Sequence, residues 1–240
     1  MRRYCATLLA VGIAAWAACG MAQAQSSLPE PYRSIDGETA ISQFNALDYP
    51  TAPDDIFLNA MLWAINNTDK SEGSSEGFAD IDYDKRQFEF TTSLESKKLG
   101  VRYAYTLGVR VTDNIITLLA REIGVESEVA VVKLTKKLSF DKLQPEKKPK
   151  HKDYLDDFAK LFSARVTEIE SYVSTHTPPV VEHWVQIKTN QVVKGMTEDE
   201  CLLSLGKPAT MSTQGNQTEW MYDAYTYLFF ENGVLKSFIK

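Results

Sequence analysis

From Val101 to Thr112 the side chains alternate without a break. Val101, Tyr103, Tyr105, Leu107, Val109 and Val111 fall on one side, and Arg102, Ala104, Thr106, Gly108, Arg110 and Thr112 on the other. A period of two residues places every apolar side chain on one face of a pleated strand and is incompatible with a helix, whose period is 3.6. A strand this long needs paired neighbours and a layer to cover its apolar face. The neighbours are expected at Ile81–Tyr83, Gln87–Leu94, Ile115–Glu122 and Val129–Phe140, joined by turns as short as Thr112-Asp113-Asn114. Connections that short make an antiparallel meander.

The covering layer is written in a different period. After Thr51-Ala52-Pro53-Asp54, where Thr51 can cap, Pro53 suits a first turn and Asp54 and Asp55 favour the positive end of the helix dipole, a helix runs through Ile56, Phe57, Met61, Leu62 and Trp63 to about Asn67. A second helix places Tyr154, Phe158, Leu161, Phe162, Val166, Ile169 and Val173 at steps of three and four. Its apolar stripe belongs on the open face of the sheet.

Thr175-His176-Thr177-Pro178-Pro179 marks a boundary, because consecutive prolines stiffen the backbone and remove amide donors. Beyond it Thr197 and Glu200 form a capping box, Gly206 supplies the left-handed stop and Pro208 prevents resumption. Glu219–Tyr222, Tyr225–Phe230 and Val234–Ile239 then read as strands, the last two joined at Asn232-Gly233, a strong hairpin signal. The expected fold class is α+β: an antiparallel sheet with helices on one face, then a small helix-plus-three-stranded antiparallel-sheet domain. The expected organisation is a signal peptide at 1–24, a polar flexible tether at 25–40, a first domain at 41–174, a linker at 175–181 and a second domain at 182–240.

The leader reading rests on Arg2 and Arg3, an apolar run from Leu8 to Ala18, and the small residues of Ala22-Gln23-Ala24. The run is about half the roughly 20 residues a membrane-crossing helix needs, so no transmembrane span is expected. Cleavage near Ala24 makes the chain periplasmic or secreted. Cleavage before Cys19, which follows two alanines in Trp16-Ala17-Ala18-Cys19, makes it an outer-membrane lipoprotein, so a peripheral or lipid-anchored association stays open. The part beyond Ala24 has 24 basic against 32 acidic residues, a charge that disfavours nucleic acid as a partner. Its one cysteine, Cys201, lies among Leu202, Leu203 and Leu205 and reads as a small core residue.

Motifs for chemistry are sparse. Gly73-Ser74-Ser75-Glu76-Gly77 has the spacing of a nucleophile elbow but sits in a polar loop rather than between a buried strand and a helix. Asp80, Asp82 and Asp84 alternate like the start of a calcium loop, yet Lys85 and Thr91 occupy the positions that need glycine and glutamate. His151, His176 and His183 have no second His or Cys at ligand spacing. The expectation is a protein that is not an enzyme, with no cofactor and no metal.

Two surfaces stand out instead. Trp220, Tyr222, Tyr225, Tyr227 and Phe229 crowd the C-terminal strands, the residue types enriched at binding hot spots. Lys133 to Lys152 holds eight lysines against Asp141 and Glu146, and Lys136, Lys137, Lys142, Lys147, Lys148, Lys150 and Lys152 are its basic-patch candidates. That segment reads either as a solvated strand end and loop or as a contact for anionic lipid or an acidic partner.

Gly195-Met196-Thr197, the helix ending Leu205-Gly206-Lys207-Pro208, the pair Trp220 and Tyr222, and Phe230-Glu231-Asn232-Gly233-Val234-Leu235 together make the C-terminal region similar to the SmpA/OmlA family. These are the BamE-like lipoproteins of the bacterial outer membrane. Small modules of this kind also occur in secreted β-lactamase inhibitors, so the resemblance implies protein binding rather than catalysis. The Pro53–Asn67 helix, the Asp80–Thr92 hairpin, the long alternating strand and the closing helix make the first domain resemble bacterial envelope domains of unknown function with a TATA-binding-protein-like fold. The functional expectation is an envelope protein that binds another envelope protein; the alternatives are a periplasmic carrier of a small apolar ligand or an inhibitor of a secreted enzyme.

Overall fold

The computed structural model describes residues 30–46, 52–68, 76–129 and 134–240. The expected leader and its expected cleavage site, Cys19, Thr51, Lys133 and the Gly73-Ser74-Ser75 motif lie outside the described residues. Seven strands make the large sheet: β1 (Tyr32–Ile35), β2 (Glu38–Ala46), β3 (Gly77–Asp82), β4 (Gln87–Ser96), β5 (Val101–Thr112), β6 (Ile115–Val129) and β7 (Leu134–Ser139). All pairings are antiparallel and run β1-β2-β6-β5-β4-β3. β6 is long enough to take two partners on one edge. β2 pairs its first part, Ile115 to Ala120, and β7 its last, Gly124 to Val129.

The apolar side of β5 is buried throughout, at Val101, Tyr103, Tyr105, Leu107, Val109 and Val111, and Thr106 and Gly108 of the other side are buried as well. Two helices cover that face, α1 (Pro53–Asn66) and α2 (Pro149–Thr175). They lie against each other, tied where Asn59 Nδ2 donates to the His176 carbonyl at 2.9 Å and where Arg165 sits 5.3 Å from the centre of the Trp63 ring. The N-cap of α1 is Ala52, whose side chain has no oxygen to accept a bond; the capping expected of Thr51 is displaced by one residue. The opposite face of the sheet is polar, cross-linked by Arg121 to Glu89 and by Arg110 to Gln87.

Several expected boundaries are corrected. Of the expected strand Val129–Phe140, Val129 ends β6, Leu134–Ser139 is β7 and Phe140 opens a short 3-10 turn to Lys142, while residues 130–133 lie outside the described residues. The tether expected at 25–40 is, from Tyr32 onward, a hairpin at the edge of the sheet. Its turn is Asp36-Gly37 with φ of 52° and 85°, the doubly positive geometry that two-residue hairpins require. Polarity hid it because β1 is an edge strand with only Tyr32 anchored, its hydroxyl donating to the Leu155 carbonyl at 2.6 Å. Burial, with the nearby Asp156 and Asp157 carboxylates, raises the pKa of that phenol and keeps it a neutral donor. Tyr32→Phe leaves the Leu155 carbonyl without that donor and is expected to cost about 1 kcal/mol, a fall of about 2–4 °C in Tm by thermal denaturation. An unchanged melt would mean the hairpin is not part of the cooperative unit.

Residues 177–183 are irregular, and a smaller layer follows: α3 (Trp184–Lys188), α4 (Glu198–Leu205), β8 (Thr210–Gln214), β9 (Gln217–Met221), β10 (Tyr227–Glu231) and β11 (Val234–Ile239). The sheet is four-stranded, in the order β11-β10-β9-β8, one strand more than the sequence suggested. β8 was missed because every one of its side chains is exposed and none is driven to a face by burial. Its turn to β9 passes through Gly215 with φ of 64°, and Asn232-Gly233 joins β10 to β11 with φ of 53° and 75°.

α4 lies between the small sheet and α1, so Cys201, Leu202 and Leu203 belong to one apolar core continuous with Ile56 to Ile65. Lys207 from beyond α4 donates to the carbonyls of Asn66 and Thr68 at 2.9 and 3.0 Å. A cation there satisfies orphan carbonyls at the negative end of α1.

Candidate functional site

The C-terminal sheet divides the aromatic candidates between two faces. Leu228 and Phe230 point onto α4 from β10 and are fully buried, as is Trp220 of the adjacent strand. The Trp220 and Phe230 rings meet at 4.5 Å, so Trp220 is core rather than contact surface. Tyr222 follows it on the same side and donates its hydroxyl to the Gly206 carbonyl at 2.9 Å, closing the end of α4; burial raises its pKa. Both are removed from the expected binding set because the sheet must cover α4 with one of its faces.

Tyr227 and Phe229 point the other way, half-buried and stacked at 6.5 Å with their planes 13° apart. The antiparallel register puts Met221 and Ile239 on either side of Tyr227, and Glu219 and Ser237 on either side of Phe229. Met221 and Ile239 join this face only through cross-strand pairing, so sequence alone gave no reason to select them. Tyr225 is not in the strand as expected. It is the most exposed large apolar residue described, at 80%, on a loop where Asp223 Oδ1 accepts from the amides of Tyr225 and Thr226 at 2.8 Å each. Glu219, Glu231, Lys236 and Phe229 line a shallow concavity of about 420 Å³ on this side.

The basic segment is also divided. Lys137 pairs with Glu126 at 3.7 Å and Lys152 with Asp156 at 2.5 Å, whereas Lys142, Lys147 and Lys148 are exposed with no carboxylate partner among the described residues. Lys136 is placed on β7 opposite Ser127. Lys150 reaches back over the Tyr154 ring, 5.5 Å from its centre. Lys147, Lys148 and Lys150 share the rim of a concavity of about 500 Å³ floored by Val125, Leu138 and Tyr154.

The histidines have structural partners. His151 accepts the Gln144 amide on Nδ1 at 2.9 Å, and burial together with nearby Lys148 lowers its pKa, consistent with a neutral ring. His176 stacks on Tyr172 at 3.6 Å. His183 stands 3.0 Å from the Glu200 carboxylate, which also accepts from the amides of Glu182, His183 and Thr197. Glu200 was expected only as half of a capping box; it is the fully buried knot that holds the chain entering the small domain to α4. Burial pushes the Cys201 thiol up to about 12, away from a reactive thiolate.

Asp82 accepts from the Lys85 amide and pairs with its ammonium, and Asp84 pairs with Lys188, so both serve the β3–β4 turn and its neighbour. Among the described residues no group of three or more His, Cys, Asp or Glu is placed to hold a metal ion. The space between the large sheet and α2, where an apolar carrier would need its groove, is filled by Tyr103, Tyr105, Phe140, Phe158 and Phe162 in edge-to-face contact.

No family model matches the chain, and no curated protein matches it. Among solved structures it is similar to a TBP-like protein from Parabacteroides distasonis, at 12% identity over 59% of this chain and 96% of that one, with a TM-score of 0.49. It is also similar to a DUF4468 family protein from Bacteroides ovatus, at 11% identity over 62% of this chain and 94% of that one, with a TM-score of 0.46. Nothing in these comparisons supports the BamE-like resemblance of residues 182–240.

Proposed function

We propose that this chain is an exported, non-enzymatic protein of the bacterial envelope that binds another envelope protein through the outer face of its C-terminal sheet. The observation that carries the reading is the row Met221, Tyr227 and Ile239 with Phe229 beside it, left half-open after the opposite face has already covered α4. Such a sheet face joins rigid aromatic area to a polar margin of Glu219, Glu231 and Lys236, the anatomy of a protein contact. The leader sequence and the BamE-like resemblance of residues 182–240 support the same reading, and the large sheet with its helices would act as a rigid platform.

Tyr227→Ala combined with Phe229→Ala is expected to weaken capture of the partner by at least about tenfold, since buried aromatic anchors at a contact are typically worth 2 kcal/mol or more. The measurement is crosslinking and affinity capture from the native envelope, quantified beside a melting curve that shows the variant folded. Tyr225→Ala tests whether the exposed loop extends the surface. A folded double variant that captures the same proteins in the same amounts would place the contact elsewhere.

A further inference from the structure

We propose that the lysine-rimmed concavity at the start of α2 docks the protein on an anionic phospholipid surface. This contact is separate from the C-terminal sheet face. Its floor is apolar, formed by Val125, Leu138 and Tyr154, and its rim carries Lys147, Lys148 and Lys150, with Lys142 exposed nearby in the chain. In a chain with 32 acidic residues, none of these four ammonium groups has a carboxylate partner among the described residues. Segregating unpaired cations in an otherwise acidic protein concentrates positive potential at one place.

The rim is held in shape rather than left to wander. The amides of Lys147 and Lys148 both donate to the Gln144 carbonyl, at 3.1 and 3.0 Å, and the Gln144 amide is fastened to the His151 ring. Lys150 lies over Tyr154, an aromatic body beneath a cationic tip, the pairing suited to a water–lipid boundary. A concavity of about 500 Å³ accommodates a headgroup and its first methylenes, not a whole lipid.

The chemistry favours a lipid surface over an acidic protein. Residues 133–152 contain eight lysines and no arginine. Arginine forks match carboxylates bidentately at fixed protein contacts, whereas lysine ammoniums act as point charges and suit laterally mobile headgroups. No described helix is long and apolar enough to cross a membrane, so the contact proposed is peripheral.

The test is co-sedimentation of the purified protein with vesicles of phosphatidylcholine alone and of equal parts phosphatidylglycerol and phosphatidylcholine. Binding is expected only with phosphatidylglycerol and is expected to weaken as salt is raised. Each lysine contributes roughly fivefold to such binding, so K147Q/K148Q/K150Q is expected to bind about 100-fold more weakly. K97Q/K98Q, at exposed positions in the β4–β5 turn, is expected to bind within about threefold of the parent. A second readout needs no variant: phosphatidylglycerol vesicles should protect Lys147, Lys148 and Lys150 from an amine-acylating reagent and leave Lys97 and Lys98 reactive. The proposal is overturned by failure to bind phosphatidylglycerol vesicles, by equal losses in the two variants, by equal reactivity of the two lysine groups, or by binding to polyglutamate in place of vesicles.

Discussion

Glu200→Ala is expected to cost about 3 kcal/mol and to lower Tm by roughly 6–12 °C, the largest effect of any single polar substitution in the small domain. The carboxylate is 1% exposed and is surrounded by donors: the amides of Glu182, His183 and Thr197 at 2.7, 2.9 and 2.9 Å, and the His183 ring. Alanine removes the common acceptor and leaves several donors unsatisfied beside a new void. Glu200→Gln keeps the shape and one acceptor oxygen and is expected to lose less.

The knot also has a pH signature. Burial alone raises the Glu200 pKa, and the hydrogen bonds from Thr197, Glu182 and His183 together outweigh it, so the folded value lies below the ordinary one. A depressed carboxyl pKa contributes stability that is complete above the unfolded value, near pH 4.3, and is lost as pH falls through the lower folded value. The stability gap between the parent protein and Glu200→Gln should therefore be widest near neutrality and narrow below about pH 4. Denaturant melts across that range check it. A gap that stays constant to pH 3, or a Glu200→Ala protein that melts with the parent, would show that the knot contributes little.

Phe158→Ala is expected to cost about 3–5 kcal/mol by denaturant unfolding, without changing the secondary structure of the folded protein. Phe158 is fully buried and meets four rings: Tyr103 at 5.4 Å, Tyr105 at 5.5 Å, Phe140 at 5.4 Å and Phe162 at 5.9 Å. It links α2 to β5 and to the turn after β7, so truncation loses transfer energy, edge-to-face contacts and packing density together. If the variant loses less than about 1 kcal/mol, the aromatic cluster is loosely packed and the case against an apolar-ligand groove there weakens.

What was legible in the residues followed from burial on one face. The alternation of Val101 to Val111 named both the strand and its inner side, and the spacing from Tyr154 to Val173 named the helix above it. The capping box of Thr197 and Glu200 and the Asn232-Gly233 turn were readable because their requirements are local, a side chain three residues away and two positive φ angles. Tyr32 to Ile35 and Thr210 to Gln214 were unreadable for the converse reason. Both are edge strands whose order comes from backbone pairing to a neighbour, which leaves little mark on side-chain pattern.

The site shows the same division. That the C-terminal strands would present aromatics on two faces was plain from Tyr227, Leu228, Phe229 and Phe230 in succession. Which pair would be spent on α4, and that Tyr225 would leave the strand for a loop closed by Asp223, depended on where β9 and β10 stop. The lysines of residues 133–152 were visible as a charge run; their separation into paired Lys137 and Lys152 and a rim of Lys147, Lys148 and Lys150 with no carboxylate partner among the described residues was not.

The sequence by itself determined the α+β class, the inner face of the long strand, the two covering helices and the capped helix of the small domain, because each is dictated by periodicity or by a bond between near neighbours. Only the tertiary structure decided that β6 serves two partners on one edge, that α4 joins the small sheet to α1 in one core, that Glu200 gathers donors from residues 182 and 183, and that Met221 and Ile239 flank Tyr227. Those arrangements bring together residues far apart in the chain, and their energies come from strand register and shared burial, which no local pattern encodes.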